Sequence, residues 1–220
     1  QRTILVGAKL NYNLFDWLAI GVWGGFGAVR IPAALTEHIQ DTNASRDCDG
    51  AGAGTIDCRL TAINMGPDLR DQVAQLNWVA APQLTVIPFR GKINVANSLY
   101  ADTDLHLFVG PAFVGTKERA DCDGMQCTGA DGYTMKARTA FAPMFGLGLS
   151  FFTHEWGGLA VDWRAIPFSR NTGGFDTAGG GPDKDFPDLA ISEEDRQFKF
   201  NQLVTLSYSI FFPFEIRMSE

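Results

Sequence analysis

Residues Thr139 to Phe152 read TAFAPMFGLGLSFF. Phe141, Pro143, Phe145, Leu147, Leu149 and Phe151 alternate with Ala140, Ala142, Met144, Gly146, Gly148 and Ser150. Strict period two is the pattern of a β-strand, with one parity on each face. A half-buried strand of a water-soluble sheet turns Lys, Glu or Thr to solvent. Here the second face is almost entirely small, while the first is bulky and apolar. A narrow barrel in lipid requires that division, with large apolar groups toward the acyl chains and small or polar groups in a cramped interior. The stretch predicts an all-β, transmembrane, antiparallel up-and-down β-barrel.

The same pattern recurs on both sides. Thr3 to Leu14 sets Ile4, Val6, Leu10, Tyr12 and Leu14 against Thr3, Gly7, Lys9, Asn11 and Asn13. After a tight turn at Phe15-Asp16, Trp17 to Val29 sets Leu18, Ile20, Val22 and Phe26 against Ala19, Gly21, Gly25 and Gly27, so the two form a hairpin. Further strands are expected from Gln75 to about Pro88, Leu105 to Val114, Leu159 to Phe168 and Phe198 to Phe214. Each is near the ten residues that cross an apolar layer at a tilt. Pro82, Pro111 and Pro143 share the outward parity, and because proline cannot donate to a ladder they are expected at bulges or strand ends.

Short turns alternate with long connections, as in bacterial outer-membrane barrels with short periplasmic turns and long external loops. The external loops are expected at about 30–72, 116–136 and 169–196, with a middling connection from Phe89 to Thr103. Ile31 to Gln40, with Pro32 near its start, fits a short helix. Residues 1–220 read as a single domain. Only seven strands are visible. If the Phe15-Asp16 turn is periplasmic, Gln1 lies outside and Phe214 leaves on the periplasmic side, whereas single-chain barrels have even strand numbers and both ends in the periplasm. Eight strands are therefore expected, the first one missing through truncation or processing or supplied by another chain.

No apolar run is long enough for a transmembrane helix, and the near-neutral mean hydropathy is uninformative because alternation dilutes every barrel strand. The Gly count of 24 and the 17 Phe fit a small-inside, bulky-outside wall. A net charge of −7 argues against a nucleic-acid partner, which wants a basic stripe. Cys48 with Cys58 and Cys122 with Cys127 are close pairs in polar segments. They read as disulfides of an oxidising compartment rather than as zinc ligands, since neither spacing is C-x-x-C and no His lies near.

The segments NYNLFDWLAIGV (11–22), NWVAAPQLTVIPFRGKINVANSLYADTDLHLFVGPAFVG (77–115, with a Pro-x-x-Gly-Lys step at Pro88 to Lys92), FGLGLSFFTHEWGGLAVDWRAIPF (145–168) and the closing FFPFEI cover about two thirds of the chain. In these segments the protein resembles the outer-membrane β-barrel domain family abundant in myxobacteria and related bacteria. The resemblance implies an eight-stranded barrel that begins with a strand not present here. It also implies a place in the outer membrane, in some members beside gliding-motility and adhesion components.

The interior of an eight-stranded barrel is just wide enough for side chains to fill it. Lys9, His106, Asp162, Arg164 and Lys199, with Asn11, Asn77 and Gln83, carry interior parity and are expected to form a paired network that plugs the barrel, because buried charges need partners. His38 falls in a loop, His106 inside and His154 in a short turn, so none sits where a lipid hydrolase of the rim would need it, and no enzyme activity is expected. Asp-Cys-Asp-Gly occurs twice, placing Asp47, Asp49, Asp121 and Asp123 as calcium candidates, although plain turns explain the motif better. Tyr12, Trp17, Trp156, Trp163 and Tyr208 are placed as interface aromatics. No motif asks for a cofactor. The expected role is structural or interactive: loops on a rigid scaffold, displayed at the cell surface for adhesion, motility or a surface assembly. The partners would be lipid, lipopolysaccharide and other envelope proteins, with an oligomer or a strand donor from another chain also open. A small pore or transport module is the alternative, and a lipid-modifying enzyme the third.

Overall fold

The computed structural model describes residues 2–31, 69–95, 99–120, 134–154, 157–174 and 191–210, with Ala34, His38 and Phe212. Seven strands follow one another in sequence order: β1 (Arg2–Phe15), β2 (Leu18–Ile31), β3 (Gln75–Val95), β4 (Leu99–Ala120), β5 (Thr134–His154), β6 (Gly157–Arg170) and β7 (Gln197–Ile210). One helical turn, α1 (Leu69–Gln72), precedes β3. All the strands lie in a single sheet of order β1-β2-β3-β4-β5-β6-β7, every pair antiparallel. The up-and-down all-β topology is therefore present. The sheet is open, with β1 and β7 as its edges.

Alternation decides what each face carries. On β4 the inward residues His106, Phe108, Ala112, Val114, Thr116 and Glu118 are buried, while Leu107, Val109 and Phe113 between them are exposed. Along β5, Ala140, Ala142 and Met144 are buried and Phe141, Phe145 and Leu147 exposed. Read down β4, the inner face passes from a charged level through an aromatic and an apolar one to a second charged level. The apolar layer is completed by Val79 and Ala81 of β3 and by Ile166 and Phe168 of β6.

The connections alternate in length. The strand ends joined through 16–17, 96–98 and 155–156 lie at one end of the sheet, and those joined through the three longer stretches of sequence at the other. Several ends differ from the sequence reading. β3 runs past Pro88 to Val95 and β4 starts at Leu99, so the expected connection from Phe89 to Thr103 is instead a hairpin extension. It has no β2 partner, since β2–β3 pairing stops at Leu18–Val86. Its charges pair across the two strands, Arg90 with Asp104 at 3.1 Å and Lys92 with Asp102 at 3.9 Å. β4 and β5 likewise continue into the expected loop 116–136, pairing as far as Ala120–Thr134. Ala34 and His38 are helical, whereas Ile31 belongs to β2.

The prolines sit at neither bulges nor strand ends. Pro111 pairs directly with Pro143. The pairs Ala80–Phe113 and Leu84–Val109 bracket Pro82 opposite Pro111, and Val22 pairs with Pro82 on the other side. They form one transverse row on the outer face. A proline row removes ladder donors, and the β3–β4 rungs between those bracketing pairs are missing.

Candidate functional site

Asp162 is the centre of the interior. It lies on β6, whose alternation turns Ala160, Asp162 and Arg164 inward. Arg164 Nη2 donates to Asp162 Oδ2 at 2.6 Å, and Lys9 Nζ of β1 reaches the same oxygen at 3.4 Å. His106 Nε2 of β4 is 2.8 Å from Oδ1. A carboxylate only accepts, so in the neutral ring Nε2 carries the proton and Nδ1 is left to accept from Ser150 Oγ, 3.5 Å away.

Arg164 is fully buried. Its guanidinium is held between the Trp23 and Phe108 rings, 4.6 and 4.2 Å from their centroids, and Nη1 donates to Gln83 Oε1 at 2.9 Å. Gln83 Nε2 in turn donates to Thr85 Oγ1 and Asn11 Oδ1. Arginine suits this place because its flat, weakly hydrated cation stacks on aromatic faces while its edge donates. Two cations meet one carboxylate here, and the stack fills the interior of the curled sheet at the level of Phe108. The cluster's evident chemistry is mutual satisfaction of buried charge. Ser150, His106 and Asp162 follow the order of a nucleophile, base and orienter, but Asp162 is already engaged by Arg164 and Lys9.

Of the residues assigned to the interior from sequence, Lys9, His106, Asp162 and Arg164 come together with Asn11 and Gln83. Asn77 lies apart, accepting from Arg30 at 3.5 Å. Lys199 is exposed on β7 opposite Phe168 and takes no part in the network. Its parity is inward, but β7 is an edge, so there is no interior on its open side to bury it. Tyr12, Trp17 and Tyr208 are exposed, and Trp163 donates to Gln202 Oε1. The four cysteines, Asp47, Asp49, Asp121, Asp123 and Trp156 lie outside the described residues.

A second cluster was missed. Glu118, 5% exposed, receives Arg138 and Arg196, each at 3.2 Å, and the Thr116 hydroxyl. Beside it Arg119 donates to Gln72 Oε1 and the Gly174 carbonyl, so α1 and residues 171–174 are tied over the long-loop end. In the sequence Thr116, Glu118 and Arg119 sit in the expected loop 116–136, Gln72 in 30–72 and Arg196 in 169–196, with Arg138 just beyond the second. The one available signal was that Thr116, Glu118 and Arg138 continue the inward parity of β4 and β5. Among the described residues no group of His, Cys, Asp and Glu could hold a metal ion, and no helix is long and apolar enough to cross a membrane. Comparison with protein-family models, with curated proteins and with solved structures gave no match.

Proposed function

We propose that the protein is an integral outer-membrane β-barrel with a structural and interaction role, displaying its long loops at the cell surface as part of an adhesion, motility or other surface assembly. The observation that carries this reading is the inversion of the two faces. Leu10, Val204 and Leu206 are 74–78% exposed on the outer face, while Arg164 and Asp162 are at most 1% exposed inside. A contiguous apolar exterior of this kind asks for lipid. The resemblance to the myxobacterial outer-membrane barrel family, the two-residue β1–β2 turn and the long connections at the opposite end agree with it.

In this reading an eighth strand closes the wall. With seven antiparallel strands, β1 and β7 run in the same direction, so one strand running opposite to both pairs with each. A second copy in the same orientation offers only parallel edges and does not satisfy the seam as well. The plugged lumen favours a scaffold over the alternative of a pore or transport module, and the occupied Asp162 disfavours a lipid-modifying enzyme. The membrane contacts are lipid and lipopolysaccharide, and the loops meet other envelope proteins.

The test joins surface labelling of intact cells with planar-bilayer recording. Labelling of the long loops from outside, without stepwise conductance from the purified protein, is expected. Loops reachable only after the envelope is broken would overturn surface display, and discrete channels would overturn the scaffold role in favour of transport.

A further inference from the structure

The two edge strands carry charge of one sign. Neither β1 nor β7 contains an Asp or Glu, and each has one lysine of inward parity, Lys9 and Lys199. Their inner faces are also incompletely covered. On β1 the inward Gly7, Asn11 and Asn13 are exposed, with Lys9 half-buried among them. On β7 the inward Thr205 and Ser207 are half-buried, and they donate back to the Asp162 and Ala160 carbonyls of β6 rather than across the seam.

The interior beside this seam does not balance. Among the described residues Lys9 and Arg164 have Asp162 as their only ion-pair partner, and His106 shares it. Arg164 takes the carboxylate at 2.6 Å, while Lys9 stands off at 3.4 Å with 17% of its side chain exposed. An ammonium has three protons to donate, and Asp162 is the one acceptor that Lys9 has among the described residues. The other inward carboxylates are taken, Asp104 by Arg90 and Glu118 by Arg138 and Arg196. A cation in excess inside the wall needs a counter-charge. Through β7 and one closing strand, β6 and β1 lie three spacings apart, about 14 Å along the wall. The Lys9–Asp162 contact spans that arc from inside, so the inward residues of the closing strand lie beside it.

We propose that the β1–β7 seam is an acceptor site for a single β-strand, apolar outward, that brings one inward Asp or Glu to Lys9. The proposal rests on the barrel reading above and adds the chemistry of the strand that closes it. Its other inward positions are small, since the Arg164 stack already fills the middle of the interior. A second copy is a poor occupant, because its edges bring Lys9 and Lys199 again where an anion is needed.

The test is binding of a fluorescent synthetic peptide of about eleven residues to the folded chain in detergent micelles. In the peptide Val and Leu alternate with Ser and Gly around a central inward Glu, and the control carries Gln there. Fluorescence anisotropy should show the Glu peptide bound about tenfold more tightly than the Gln peptide. Lys9→Met should erase the difference, and it keeps the Arg164–Asp162 pair that holds the interior. Equal binding of both peptides by the wild-type chain overturns the carboxylate, and a preference that survives in Lys9→Met overturns Lys9 as its partner. A photoactivatable outward residue on the Glu peptide should give adducts on both edges, at Leu10 and Leu206 among others. Adducts confined to other strands overturn the seam as the site. A micelle-bound chain that takes neither peptide, as one copy or as a pair, overturns the proposal and leaves the membrane reading standing. A chain that never enters micelles contradicts that reading, and the proposal falls with it.

Discussion

Lys9 Nζ of β1 lies 3.4 Å from Asp162 Oδ2 of β6, although β2 to β5 intervene in the sheet. A flat sheet would hold these strands about 24 Å apart at the usual spacing. The contact therefore measures how far the sheet has curled. Its first and sixth strands face each other across one interior, and Asp162 is the group through which they meet.

Removing that carboxylate should cost more than any single outward contact. Asp162→Ala leaves Arg164 and Lys9 buried without their counter-charge, a change worth about 3–5 kcal/mol. Urea titration should show the midpoint falling accordingly. Replacing Arg164 by Met in the same background should recover part of the loss, because the stranded cation is then gone. A single Asp162→Ala variant as stable as the wild type would show that the cluster does not hold the curled sheet.

Interior glycines set the closeness of the layers. A methyl group at Gly146 would meet the Trp163 carbonyl on one side and the Phe108 ring on the other. Phe108 cannot retreat without disturbing the Arg164 guanidinium stacked on it. Gly146→Ala should therefore destabilise by about 1–3 kcal/mol, as overpacked cores do. The same change at Gly24, where the nearest described atom would be 3.3 Å away, should be much milder. Equal midpoints for the two variants would contradict the packing described.

The outer face gives the opposite test. Val109 is 56% exposed and pairs with Leu84 and Phe145 in mid-wall. On a water-soluble sheet Val109→Arg would change stability by about 0.5 kcal/mol or less. In lipid it should cost about 2–4 kcal/mol near the midplane. Folding titrations into liposomes separate the two values directly.

The parity of the strands was legible because an apolar outer face on one side and a crowded interior on the other leave period two almost uninterrupted. The strand ends were not legible. Phe89 to Thr103 carries Arg90, Gly91, Lys92 and Asp102 because this hairpin extends beyond β2, whose pairing with β3 stops at Val86, while its base on β4 still pairs with β5 and buries Thr103. Its charges pair across strands instead of alternating with apolar residues. Trp23 was hidden differently. It sits among Gly21, Gly24 and Gly25, where small residues occupy both parities, and only the fold shows that its ring lies over Arg164. The proline row was visible as shared parity, but its alignment across β3, β4 and β5 depends on register, which the sequence does not state.

The most direct measurement is gel migration, with and without boiling, of protein retained in envelope membranes after urea extraction. A membrane-inserted barrel predicts that the chain stays with the membranes and migrates as a compact species until heated. Release by urea into the aqueous fraction, with the same migration before and after boiling, would contradict the account.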